Sequence, residues 1–372
     1  MIKKRFALLS ALGLLLFSCK QSAIFYEISL EVEAIEPQIK GSPTNIVQQG
    51  DSLYVASRFG SAIYEYKDSE WVPLSPSPGN IIELAATKGA LYALTGTPGS
   101  LDLQKFSIDS KTWTSIGTKG YNVQSIYGAE DYLFAGAIAD HSTNPPTCSI
   151  LYVEDDGASE LTSLASKTSL LKGAVYDGTM YYLATFGSGI LPFTEPLSDP
   201  LAQQKVADPD HNNIVGIIKV GDKIVAVSRD GYILYGAPTF VAVKALDSYF
   251  TGALATWKPE PKAASPRLLL LGIQGEGSTS TTHGYREILL NEDGTLNPDA
   301  MSLKESGKNE ISSVKDYDDE RNGYEQYVVT IGRHPLSSII QAPDGILFAT
   351  TTKDGLWSYR ERNGKPVWNA ED

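Results

Sequence analysis

Apolar positions along most of this chain recur with a period of two. No long window carries apolar residues at i, i+3, i+4 and i+7, the spacing of an amphipathic helix. What recurs is a short β unit: Gly or Asp, an apolar strand, a Gly-containing turn, then a second strand ending in an aromatic. Residues 50–66 read GDSLYVASRFGSAIYEY, 178–193 read GTMYYLATFGSGILPF, 221–235 read GDKIVAVSRDGYILY and 344–359 read DGILFATTTKDGLWSY. Looser copies are GALYALTGTPGSLDLQKF at 89–106, AEDYLFAG with CSILYV between 129 and 153, and PRLLLLGI with YREILL between 266 and 290. Each copy has a leading strand, such as NIVQQ at 45–49, NIIELAA at 80–86, NNIVGIIKV at 212–220 and SIIQA at 338–342. A fourth strand follows, as in WVPLS at 71–75 and TWTSIG at 112–117.

Tyr54, Tyr92, Phe134, Tyr182, Val225, Leu270 and Phe348 occupy matched places in the second apolar strand. The first five are 38, 42, 48 and 43 residues apart. A period of roughly 40–50 residues with four short strands per unit predicts an all-β, seven-bladed β-propeller. The driving force is mutual burial, since a four-stranded sheet this small cannot cover both of its faces alone. The sixth copy is the irregular one. After YREILL the chain turns polar, and YVVTIG at 327–332 reads as a fourth strand feeding the seventh copy. This leaves an insertion at about 292–324 that contains the charged run 315–321, or else a concealed eighth blade.

The repeat resembles the seven-bladed propellers of bacterial envelope proteins, including sensor-domain propellers whose second hairpin carries a Gly-Leu-Trp-like motif. Asp354-Gly355-Leu356-Trp357 is its best match here, and the resemblance covers about residues 43–369. It implies that turns between second and third strands share one face with the joins between blades. Ser228-Arg229-Asp230-Gly231 is similar to the Asp-box of sialidase-type propellers. The Ser-x-Asp-x-Gly-x-Thr-Trp spacing is absent, so that activity is not implied.

The first residues have a different character. Lys3, Lys4 and Arg5 precede an apolar run from Phe6 to Phe17, interrupted only by Ser10 and Gly13. The run is shorter than the roughly 20 residues a membrane-spanning helix needs, and fits the core of a secretory signal. Leu16-Phe17-Ser18-Cys19 resembles the lipobox of bacterial lipoproteins, with Phe17 where a smaller residue is usual. The resemblance implies a signal peptide at 1–18 and a palmitate-type acyl anchor on Cys19. Several acyl chains hold a protein to a bilayer far more firmly than one. Residues 19–23 are then a tether reaching at most about 15–18 Å. Residues 24–33 alternate strictly, with Ile24, Tyr26, Ile28, Leu30 and Val32 on one side and Glu27, Ser29, Glu31 and Glu33 among those on the other. That is a strand with one wet face, expected to pair with the last blade and fasten the ring, with Val367-Trp368 as competitor for the edge. The propeller then spans 24–369.

Charge narrows the partners. The 372 residues carry 31 Lys plus Arg against 44 Asp plus Glu, a net charge of −13. Without the basic head, 28 basic residues face 44 acidic ones. A nucleic-acid partner is therefore not expected, and acyl chains rather than protein charge must hold the bilayer. Lys20 is not the acidic residue that retains some lipoproteins at an inner membrane, so the outer membrane, periplasmic or surface side, is the expected address within the envelope. Two cysteines rule out a disulfide-built scaffold, and once Cys19 is acylated no second cysteine remains for Cys148 to form a disulfide with.

The second-to-third-strand turns offer the candidate ligand- or partner-binding residues: Arg58 and Phe59, His141, Phe186, Arg229 and Asp230, His283, Lys353 and Asp354. Basic and aromatic side chains repeated around one rim suit a protein, acidic or sugar-like ligand. Gly and Asp in tight hairpins, with exposed Arg and Lys at sheet edges, are also what such turns need for purely structural reasons. His141, His211, His283 and His334 map to this face, but no H-x-x-x-H or C-x-x-C spacing supports a metal site, and no cofactor is expected. There is no G-x-S-x-G and no phosphate-cradling Gly loop before a helix. Three readings stand. The first is a lipid-anchored, monomeric module that binds protein or glycan. The second is a propeller enzyme acting on glycans or lactones at the same face. The third is a structural surface lipoprotein.

Overall fold

Seven antiparallel sheets follow one another along the chain. The first holds β1 (Pro43–Gln49), β2 (Ser52–Ser57), β3 (Ala62–Lys67) and β4 (Glu70–Leu74). The second holds β5 (Ile81–Ala86), β6 (Leu91–Thr97), β7 (Ser100–Ser107) and β8 (Thr112–Ser115). The third holds β9 (Asn122–Ala129), β10 (Tyr132–Asp140), β11 (Thr147–Glu154) and β12 (Gly157–Leu164). The fourth holds β13 (Leu170–Tyr176), β14 (Tyr181–Phe186) and β15 (Gly189–Phe193). The fifth holds β16 (Ile214–Val220), β17 (Lys223–Ser228), β18 (Tyr232–Gly236) and β19 (Phe240–Lys244). The sixth holds β20 (Tyr249–Trp257), β21 (Leu268–Gln274), β22 (Gly284–Leu289) and β23 (Val314–Asp316). The seventh holds β24 (Leu336–Gln341), β25 (Leu347–Thr351), β26 (Leu356–Arg362) and β27 (Lys365–Ala370). Within each sheet the strands pair in chain order.

This computed structural model describes residues 38–371 apart from 59–61, 98, 109, 141–146, 155–156, 165–169, 196, 198–210, 245–248, 259–263, 267, 275–283, 298–313, 317–330, 332–334, 354 and 363–364. The chain divides into two units, Met1–Pro37 and Gln38–Asp372, and the described residues belong to the second. The leader, Cys19 and the strand expected at 24–33 lie outside them.

Seven clusters of buried side chains hold the sheets together, and each straddles a seam between neighbours. In β2, Leu53 and Val55 pack toward Phe348 and Leu356 of the seventh sheet. Tyr54 and Ala56, one residue out of phase, pack toward Leu91 and Ala93 of the second. In β21, Leu269, Leu271 and Ile273 face Val225 and Val227 of the fifth sheet, while Leu268 and Leu270 face Leu347 and Ala349 of the seventh. Alternation in the second strands thus divides two dry faces rather than a dry and a wet one. Each fully buried Leu, Ile or Val stabilises the ring by roughly 1.5–3 kcal/mol.

The ring closes between the seventh and first sheets. Phe348 packs against Tyr66 and Trp71 at ring-centre distances of 4.8 and 5.1 Å. The Tyr66 hydroxyl donates to Asp344 Oδ2 at 2.8 Å, and Ile46 N–H donates to Ser338 Oγ at 3.1 Å. The N–H groups of Gln38 and Ile39 both reach the Glu371 carbonyl oxygen. The Glu371 carboxylate is buried, paired with Arg360 at 2.5 Å and hydrogen-bonded by the Ser358 hydroxyl. Among the described residues Lys365–Ala370 is the outermost strand of the seventh sheet.

The sixth sheet takes a fourth strand from Val314–Asp316, inside the stretch read as an insertion; of the strand expected at 327–332, only Ile331 is among the described residues. A three-residue outer strand reading Val-Lys-Asp carries no apolar alternation, so nothing in the sequence marks it. The described residues form seven sheets, as the period of the repeat requires.

Candidate functional site

The seven leading strands β1, β5, β9, β13, β16, β20 and β24 form the inner wall around the axis. Every one of them breaks register with its neighbour. Such bulges add local twist where strands crowd together, and they re-aim side chains. In β13 the extra residue is Lys172, and in β24 it is Ser337.

Polar side chains bracket the seams along this wall. The Asn45 amide donates to the Leu84 carbonyl at 2.8 Å and accepts the Leu84 N–H at 3.0 Å. Glu83 Oε2 accepts the Ile126 N–H at 3.0 Å. The Ser125 hydroxyl donates to the Leu171 carbonyl at 3.2 Å. Gln341 exchanges two bonds of 2.9 Å with the Lys258 backbone.

Inside the wall lies a cavity of about 440 Å³, bordered by residues of all seven leading strands, among them Asn45, Glu83, Tyr127, Lys172, Val215, Thr251 and Ser337. A second cavity of similar size continues it along the fifth, sixth and seventh sheets as far as Lys258 and Pro266. Enclosure by protein pushes the Glu83 carboxyl up to about 7; the Ile126 N–H and the Lys172 charge oppose the rise without cancelling it. Burial, helped by the Glu83 charge, holds the Tyr127 phenol well above its ordinary range.

The rim site lies where the turns after the second strands meet the lead-ins to the next sheets. Gly187 and Gly189 N–H groups both donate to the Asn212 carbonyl, and Arg229 N–H donates to that of Asn213. The β17–β18 turn is held from within: the Ser228 hydroxyl donates to Asp230 Oδ1, and its oxygen accepts the Tyr232 N–H at 3.1 Å. On this scaffold the Arg229 guanidinium sits 5.8 Å from the ring centre of Phe186 and 5.7 Å from that of Tyr249. Three sheets, the fourth, fifth and sixth, thereby contribute to one cation–π group. His211 stacks on Tyr232 with ring centres 3.7 Å apart, and its Nδ1 lies 3.1 Å from Asp230 Oδ2. Tyr249 remains 40% exposed.

Of the residues expected to bind, Phe186, Arg229 and Asp230 come together here. Arg58 follows β2 and Lys353 follows β25; both are exposed and stand on the first and seventh sheets, away from this group. Phe59, His141, His283, Asp354 and Cys19 lie outside the described residues. Glu83, Tyr127 and Lys172 were not expected. They lie in leading strands of three successive sheets, and only closure of the ring brings them onto one cavity. Among the described residues no group of three or more His, Cys, Asp or Glu could hold a metal ion.

No family model matches the sequence. No curated protein matches it. Solved structures share the fold. The WD40 β-propeller domain of Doa1 superposes with a TM-score of 0.51 at 11% identity, covering 87% of this chain and 94% of that one. The β-propeller domain of Cps50 (Swd1) from Myceliophteria thermophila gives 0.52 at 11% identity, covering 90% and 98%. The GH74 enzyme of Niastella koreensis gives 0.57 at 14% identity, covering 89% of this chain and 54% of that one. At these identities the likeness establishes the propeller fold.

Proposed function

We propose that this chain is a propeller binding module, held at a bacterial envelope membrane through acylated Cys19, that grips a protein partner on the face bearing Phe186, Arg229 and Tyr249. The observation that carries the reading is the Arg229 guanidinium fixed over two aromatic rings from two other sheets. Arg, Tyr and Trp dominate binding hot spots, and a rigid scaffold under a loop reduces the ordering cost of association. The anchor rests on Leu16-Phe17-Ser18-Cys19 after the apolar run, and the outer membrane remains the preferred site.

Crosslinked capture from native envelopes tests the face. Arg229→Ala is expected to weaken the partner complex by about 2 kcal/mol or more, roughly thirty-fold in Kd. Capture that is equally strong with Arg229→Ala, while denaturation midpoints match, sinks the proposed face. No specific capture from either chain would favour the purely structural reading. The anchor has its own test. Cys19→Ser is expected to move the protein from the membrane pellet to the soluble fraction, and unchanged pelleting would remove the anchor from the proposal.

Catalysis on a glycan in the channel is the second reading, and Glu83 favours it, because a carboxyl that titrates near neutrality suits general acid–base work. Glycoside hydrolysis ordinarily uses two carboxylates. Among the described residues lining the two channel cavities Glu83 is the sole carboxylate, which places binding ahead of hydrolysis.

A further inference from the structure

The channel wall contains two kinds of polar side chain. One kind is committed to the fold. Asn45 is bonded twice to Leu84, Gln48 donates to the Gly50 carbonyl at 3.0 Å, and Ser338 serves Ile46 N–H and Thr350. The other kind is not. Glu83 spends one oxygen on Ile126 N–H, and among the described residues nothing hydrogen-bonds the Tyr127 hydroxyl or the Lys172 ammonium. These three groups come from successive sheets, the second, third and fourth, and border the same cavity of about 440 Å³. Pockets of roughly 300–1,000 Å³ hold small molecules.

Charge selects the class of ligand. The whole chain carries −13, yet the charged residues lining the two cavities are Lys172, Lys258 and Glu83. Lys258 Nζ already donates to the Ala264 carbonyl at 3.0 Å, which leaves Lys172 as the cation available inside. An acidic protein repels anions at long range, so a cation enclosed beside apolar Ile46, Ile126 and Val215 concentrates attraction at one place. We propose that the channel is a binding site for a small hydroxylated carboxylate, a sugar acid in size and chemistry, whose carboxylate is received by Lys172 and whose hydroxyls bond Glu83 and Tyr127. The site is separate from the Arg229 rim and does not depend on it.

Glu83 makes this site sensitive to pH. The titratable groups facing it are Tyr127 of the third sheet and Lys172 of the fourth; the first sheet presents Asn45, and its own strand neighbours are Ile82 and Leu84. Burial keeps the Glu83 carboxyl protonated up to about pH 7. Below that point it is neutral and can donate to the ligand. Above it, its charge opposes the incoming carboxylate, so binding weakens as pH rises.

Calorimetric titration of the full chain in detergent with glucuronate, glucose and glucosamine tests the proposal. Glucuronate is expected to bind, at least about tenfold more tightly than glucose or glucosamine, and several-fold more tightly near pH 6 than near pH 8. Lys172→Gln is expected to lower glucuronate affinity about tenfold or more, and Lys172→Arg to restore most of it. Glu83→Gln should flatten the pH dependence of glucuronate binding. No saturable binding of glucuronate at concentrations up to about 10 mM overturns the proposal. So does equal affinity for glucose, preference for glucosamine, or a Lys172→Gln variant of unchanged midpoint that binds as before.

Discussion

Replacing Gly252 by Val is expected to cost about 4 kcal/mol or more of folding stability, enough to leave much of the chain unfolded. Gly252 lies in β20 at φ +92°, where L side chains rarely go. A Cβ there would stand 2.0 Å from the Val215 carbonyl oxygen and 2.8 Å from its carbon. The facing residue is Gly216 of β16, whose own Cβ would come within 2.5 Å of the Gly252 oxygen. Two inner strands thus approach backbone to backbone through a pair of glycines, and no flexible side chain can yield. Any shift that relieved the clash would part the seam on which Val225, Val227, Leu269 and Leu271 are buried. Strain at one residue of this kind costs about 1–3 kcal/mol, and opening a packed seam adds to it. Gly50 supplies the contrast. It has φ +59° with nothing within 4 Å of an added Cβ, so Gly50→Ala should cost only roughly 1–2 kcal/mol. Urea midpoints of the two variants measure the difference. A Gly252→Val chain within about 1 kcal/mol of the native one would show that the inner strands can separate freely.

The fate of individual residues shows where sequence reading ends. Tyr54, Tyr92, Phe134, Tyr182, Val225, Leu270 and Phe348 all lie in the second strands of the seven sheets, as their spacing requires. Those strands are legible because both faces are dry, so they read as near-continuous apolar runs bounded by turns. Val314–Asp316 is illegible for the opposite reason: an outer strand needs only backbone pairing. The Gly216–Gly252 approach joins residues of consecutive units that nothing local connects. The rim was half legible. Phe186, Arg229 and Asp230 could be named from turn position and His211 mapped to the same face, whereas Tyr249 joins them only because closure of the ring sets one sheet's lead-in against another sheet's turn. The channel was not legible. Lys172 is the bulge residue of β13 and borders the cavity, and nothing in LLKGAVY marks a bulge.

Glu83→Gln is expected to stabilise the protein at about pH 8 and to leave it nearly unchanged at about pH 5. In the unfolded chain the carboxyl releases its proton near the ordinary glutamate value of 4.5; in the folded chain it holds the proton to about 7. Between those values the folded state binds more protons than the unfolded state, so raising the pH draws the equilibrium toward unfolding. The stabilising contribution of the neutral carboxyl is complete below 4.5 and lost as pH climbs through 7. Its full size is at most about 3 kcal/mol. A glutamine keeps an oxygen for the Ile126 N–H and has no charge to bury, so the seam bracket survives while the pH slope disappears. Glu83→Ala would act differently. It leaves the Ile126 N–H without an acceptor and should cost about 1–3 kcal/mol at about pH 5, a cost that loss of the buried charge offsets as the pH rises through neutrality. Glu371, which burial also raises, titrates with the same sign in every variant and therefore cancels in the comparison. Denaturation midpoints of native chain and Glu83→Gln followed from about pH 5 to pH 8 should diverge upward through neutrality. Parallel curves would mean that the Glu83 carboxyl is solvated in the folded chain much as it is in the unfolded one, and that the channel does not enclose it.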